Sequence, residues 1–171
     1  MLRGGREVGV GGELIDLVRT DTETIARSRD PDELRDTVYC WDDSTGIPVW
    51  IAQVRLESPI PTVRPRENAI ENPAGCTIVV PSAIVNFVEL APFEYAVCWT
   101  PRTPDERNVA YFNALCESIW TIGYAPDQPQ CAYHDMALTS NGQLEAYAER
   151  RPFGTIIDQS TGSVTATFPY R

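Results

Sequence analysis

The sequence predicts an α+β domain of two β-α-β-β repeats, with a central antiparallel sheet, two helices on one face and an extra C-terminal β-hairpin. Three observations predict it. Two segments place apolar residues at helical spacing, several β-branched and aromatic runs flank turn sequences, and the order strand, helix, hairpin occurs twice. The 171 residues fit one domain, 1–171: a first repeat over 1–58, a proline-rich linker over 59–73, a second repeat over 74–150 and a hairpin over 151–171.

A short strand is expected over Arg6–Val10, followed by Gly11-Gly12. Leu14, Ile15, Val18, Ile25 and Ala26 then recur at helical spacing and predict the first helix, with a brief extra turn at Asp30-Pro31-Asp32-Glu33. Two apolar runs around Asp42-Asp43-Ser44-Thr45-Gly46 predict a hairpin, and four prolines between Pro59 and Pro73 mark the linker. Strands follow, punctuated by Pro81 and Ala91-Pro92. Thr103-Pro104-Asp105-Glu106 has the form of a helix N-cap. Val109, Phe112, Cys116 and Ile119 share a helical face, so a second helix is expected from Pro104 to Ile122, ending at Gly123. Turns at Ser140-Asn141-Gly142 and Gln159-Ser160-Thr161-Gly162 predict the last hairpins.

All 14 basic residues are arginine. Without lysine there is no Schiff base, phosphate-loop lysine or Ser-Lys nucleophile. His134 is the single histidine, which removes two-histidine metal sites. No cofactor is indicated. A formal charge of -10 argues against nucleic-acid binding, because affinity for a polyanion needs a basic patch. The five cysteines, Cys40, Cys76, Cys98, Cys116 and Cys131, are odd in number and widely spaced. Neither a zinc cage nor a disulfide framework is expected, and a reducing cytoplasm fits. The N-terminus lacks a signal-peptide core, and no apolar stretch approaches the roughly 20 residues that cross a bilayer, so no membrane partner is expected.

Glu89-Leu90-Ala91-Pro92-Phe93-Glu94-Tyr95-Ala96-Val97, Ile119-Trp120-Thr121-Ile122-Gly123-Tyr124, Pro126, Pro129 and Cys131-Ala132-Tyr133 follow one another in a familiar order. Together with Tyr39-Cys40-Trp41-Asp42-Asp43, they resemble the GyrI-like small-molecule-binding domain, also the effector-binding domain of multidrug-responsive transcription regulators. The resemblance implies a pseudo-twofold domain with an apolar groove between repeats for bulky, flat, often cationic molecules, and some members are hydrolases. Cys131 stands where the family often has a ligand-facing glutamate.

Four tryptophans and seven tyrosines make an aromatic-lined groove plausible, with Trp41, Trp50, Tyr95, Trp99, Cys131 and Tyr133 as its lining. Taken singly, each aromatic has a plain reading as core. Glu89 and Glu94 are the candidate catalytic carboxylates, able to activate water or to pair with a bound cation if an apolar cleft raises their pKa. Three functions are expected in turn: a stand-alone module that binds a hydrophobic, aromatic small molecule; a hydrolase using Glu89 or Glu94; and a β-rich assembly protein such as a viral capsid subunit. A homodimer is compatible with the first two, whereas a monomer or dimer at micromolar concentration would argue against shell assembly.

Overall fold

The computed structural model describes residues 12–20, 22–29, 35–64, 66–148 and 151–170, and among them there is no helix. The α+β expectation is corrected: the described chain is all-β. In place of the first helix stand two antiparallel strands, β1 (Glu13–Arg19) and β2 (Glu23–Arg29). Burial along β2 alternates with a period of two, with Thr24, Ala26 and Ser28 inward. Two of those three are small polar residues, invisible to a count of apolar positions. The reversal between the strands is tied by Thr20, whose amide donates to the Glu23 carbonyl (2.9 Å) and whose hydroxyl accepts from the Glu23 amide (3.1 Å). Such local bonds compete with helix formation. The expected strand over Arg6–Val10 and the turn at Asp30–Glu33 lie outside the described residues.

The expected hairpin is present as β3 (Arg35–Asp42) and β4 (Ile47–Arg55). The chain then crosses over through a small hairpin, β5 (Ala69–Glu71) and β6 (Thr77–Val79), to β7 (Ile84–Ala91), which lies parallel to β4. Parallel neighbours cannot be joined by a tight turn. Here the crossover lays Val63, Ile70, Ile78 and Val80 over one sheet face, the work that a helix was expected to do. β8 (Glu94–Trp99) returns against β7.

The second expected helix is replaced by β9 (Val109–Phe112) and β10 (Ser118–Thr121). Asn113 closes the loop between them: its side-chain oxygen accepts the amides of Leu115 (3.0 Å) and Glu117 (2.9 Å), and Cys116 takes a left-handed φ of 62°. The N-cap sequence also closes a loop. Glu106 accepts the Arg102 amide and the Trp99 indole N–H (3.2 Å) instead of starting a helix.

Eight strands form one sheet in the order β1-β2-β3-β4-β7-β8-β9-β10. The rest of the chain forms a four-stranded antiparallel sheet of β11 (Tyr133–Leu138), β12 (Leu144–Ala148), β13 (Phe153–Ile157) and β14 (Val164–Pro169). Its outer hairpins turn at the two expected sites. The large sheet is therefore covered twice. Val38, Trp50, Phe87, Tyr95 and Val97 join the crossover residues in a first core. Val88, Ala96, Cys98 and Val109 face the small sheet in a second, with Met136, Leu144, Ala146 and Ile157.

A disulfide joins Cys76, between β5 and β6, to Cys116, between β9 and β10. The expectation of no disulfide is corrected too, because a bridge between two loop tips 40 residues apart leaves no spacing motif in the sequence.

Candidate functional site

The large sheet divides the residues expected to line one groove. Trp50, Tyr95 and Trp99 belong to the first core, whereas Cys131 and Tyr133 belong to the second. Trp41, at the end of β3, is buried and stacks on Tyr39 with ring centroids 5.4 Å apart. The polar tips of two tryptophans are occupied: Trp50 Nε1 donates to the Val63 carbonyl (3.1 Å) and Trp99 Nε1 to Glu106. Burial pushes the Tyr133 phenol up to about 12 and raises the Cys131 thiol, although Arg151 opposes the latter. A thiol held protonated is a poor nucleophile.

The candidate carboxylates are equally engaged. Glu89 is fully buried near the end of β7. One carboxylate oxygen accepts the Arg55 amide (2.8 Å), and the other accepts the Ser58 hydroxyl and the Phe93 amide (3.1 Å each). The Arg35 guanidinium donates to the Glu89 main-chain carbonyl. Burial lowers the Arg35 pKa, and the Glu89 charge counters that shift. Glu94 accepts the Tyr111 hydroxyl, and burial together with this carboxylate pushes the Tyr111 phenol up to about 12.

Beside Glu89 runs a second charged group. Asp36, fully buried on β3, accepts Arg27 Nε (2.6 Å) and Arg29 Nε (2.7 Å) from β2. Burial works against its charge, but the two guanidiniums outweigh it and hold the carboxyl below the usual aspartate range. Arg27 also donates to the carbonyls of Ser58 (2.8 Å) and Arg55 (3.2 Å). Asp36, Arg27, Ser58, Glu89 and Arg35 thus form one connected network that closes an end of the first core. Both of its carboxylates, Asp36 and Glu89, accept hydrogen bonds from within the fold.

Two features reach the surface. A shallow cleft of about 420 Å³ at the end of the small sheet is lined by Gln128, Arg151, Pro152, Phe153 and Phe168, among others. Among the described residues that line it, Arg151 is the one charged side chain, and none of the expected site residues is among them. The other feature is β1. All seven of its residues are exposed, and Leu14, Ile15, Leu17 and Val18 are 45–49% exposed although large and apolar.

No protein-family model matches the chain, and no curated protein matches it. Among the described residues no helix is long and apolar enough to cross a membrane, and no group of three or more His, Cys, Asp or Glu is placed to hold a metal ion.

Sequence reasoning missed the network and β1. Arg27 and Arg29, two residues apart, carried a usable signal: on a strand they share a face, and Asp36 could have been sought as their partner. The helical spacing of Leu14, Ile15 and Val18 hides a strand that exposes four large apolar side chains.

Proposed function

We propose that the protein is a structural assembly subunit, joining other protein chains through the edge of its large sheet. The exposed β1 carries this reading. An edge strand offers unpaired backbone donors and acceptors, and natural edges are ordinarily short, charged or covered. β1 carries Glu13, Asp16 and Arg19, and between them it exposes four large apolar side chains in seven residues. Two filled cores and engaged carboxylates are in keeping with this reading, and β1 gathers four exposed large apolar side chains on a single strand. The Cys76–Cys116 bridge supports an oxidising compartment in place of the reducing cytoplasm. Sedimentation velocity over a range of concentrations tests the proposal. The expected outcome is a mass that grows with concentration to a dimer or larger species, and a monomer throughout would overturn it.

The cleft beside Arg151 favours a second reading, small-molecule binding of the general kind that the GyrI-like resemblance implies. A guanidinium among apolar walls suits an anionic aromatic molecule and not the cation first expected. Benzoate-type carboxylates should raise the melting temperature, and Arg151→Ala should abolish the rise. Equal shifts with planar cations, or no shift at all, would remove this reading.

A further inference from the structure

We propose that two copies of the chain join β1 to β1, antiparallel about a twofold axis between Ile15 and Asp16, so that two eight-stranded sheets become one. The proposal rests on the assembly reading above and names its partner as a second copy.

The pairing of β1 with β2 defines which face each residue occupies. Leu14 lies opposite Ser28 and Leu17 opposite Ala26, whereas Glu13, Asp16 and Val18 lie opposite Arg29, Arg27 and Ile25. Opposed residues share a sheet face. Leu14 and Leu17 therefore lie on one face, and Glu13, Asp16 and Val18 on the other. Ile15 breaks the alternation: it has no counterpart on β2 and is the extra residue of a β-bulge.

An axis between Ile15 and Asp16 respects these faces. It sets Leu14 opposite Leu17 of the second copy on one face and Glu13 opposite Val18 of the second copy on the other. The two bulges meet at the axis, where each Ile15 lies beside the other copy's Asp16. A regular strand from any other partner would leave Ile15 unmatched, as β2 does, so the bulge selects a strand with the same irregularity. Charge selects the direction. Antiparallel pairing brings the Glu13 end of each strand beside the Arg19 end of the other, whereas parallel pairing would stack acid on acid and arginine on arginine. The residues that guard this edge against an arbitrary strand thus become complementary to a second copy.

The test is a Leu14→Cys/Leu17→Cys double variant under mild oxidation. Opposed Cα atoms across an antiparallel pair lie about 5 Å apart, within disulfide reach, whereas residues 14 and 17 of one strand are about 10 Å apart. The cysteines outside the disulfide, Cys40, Cys98 and Cys131, are buried. The double variant should give a covalent dimer on a non-reducing gel, and each single variant should give no more than the wild type. Equal crosslinking of the single variants, or none in the double variant, would overturn the proposal. Leu17→Lys, at an exposed position, should keep the wild-type circular dichroism spectrum and weaken the dimer at least tenfold in sedimentation equilibrium. A dimer unchanged by Leu17→Lys would overturn the β1–β1 contact and leave standing only that the chain self-associates. A wild-type chain that is monomeric at every concentration would overturn both.

Discussion

Asp36 shows how a single residue can hold strands together by charge. It sits on β3 and binds two arginines of β2, so removing its charge leaves two guanidiniums against a core without a counter-ion. Asp36→Asn should cost about 3 kcal/mol at neutral pH, measured by urea unfolding. Because the folded-state pKa is depressed, this stabilisation is complete above the ordinary aspartate pKa of about 4. It is lost as pH falls through the lower folded value, so variant and wild type should converge in acid. Tyr95 makes the opposite case. Its hydroxyl is buried with no hydrogen-bond partner among the described residues. Burial, reinforced by the Glu89 charge, raises its pKa. Tyr95→Phe should therefore leave stability within about 1 kcal/mol of wild type, on the favourable side. An aromatic that the sequence marks as ligand-binding is expected to tolerate loss of its polar atom because it serves as core.

Among the elements, the two loop-tip cysteines and the Trp120 contact fasten hairpins that local bonding alone would leave loose. The Cys76–Cys116 bridge ties the crossover hairpin to the β9–β10 loop and closes a loop of 40 residues. Removing it with Cys76→Ser and Cys116→Ser should cost about 4 kcal/mol by the loop-entropy relation, read from the urea midpoint. At the other end of β10, Trp120 lays its indole on Gly162 and donates Nε1 to the Gln159 carbonyl (2.8 Å). Gly162 has φ 72°, and a Cβ there would come within 2.7 Å of the indole. Gly162→Ala therefore combines backbone strain with a clash and should cost about 2 kcal/mol or more in the same assay. Three hairpins were legible because turn sequences such as Asn141-Gly142 announce themselves locally. The two helices were misread for a physical reason as well: apolar residues at i, i+3 and i+7 also occur on strands interrupted by a turn. Asn113 and Thr20 supply those turns through side-chain bonds that periodicity does not register.

Across the whole molecule, the two sheets are joined by buried polar contacts as well as by the second core. Asn108 is fully buried and holds both main-chain groups of Tyr133, accepting its amide (2.8 Å) and donating to its carbonyl (2.7 Å). Gln53 likewise spans from β4 to the Leu138 amide (2.6 Å) and carbonyl (3.2 Å). Asn86 on β7 donates to Asp135 on β11 (2.8 Å), and there burial raises the carboxyl pKa despite that bond and the nearby His134. The sign is opposite to that at Asp36. Between the ordinary aspartate value and the raised folded value the native state holds the extra proton, so stability falls as pH rises through that window. Asp135→Asn should flatten this part of the stability–pH curve, measured by thermal unfolding in a buffer series. At this scale the candidate site also changed position. Trp50 and Tyr133 are both buried but in different cores, because Trp50 faces the crossover from the large sheet whereas Tyr133 belongs to the small sheet that covers the opposite face.

The sequence by itself determined that this chain is lysine-free and acidic and has hairpins at β3–β4, β11–β12 and β13–β14, since composition and turn chemistry are local properties. Only the tertiary structure decided that both presumed helices are strands, that Cys76 meets Cys116, that Asp36 and Glu89 share one buried network, and that β1 is the edge strand of the large sheet among the described residues. Each of those outcomes depends on which strand becomes the neighbour of which. Pairing across tens of residues is chosen by the burial of whole faces, and no short window of sequence contains that choice.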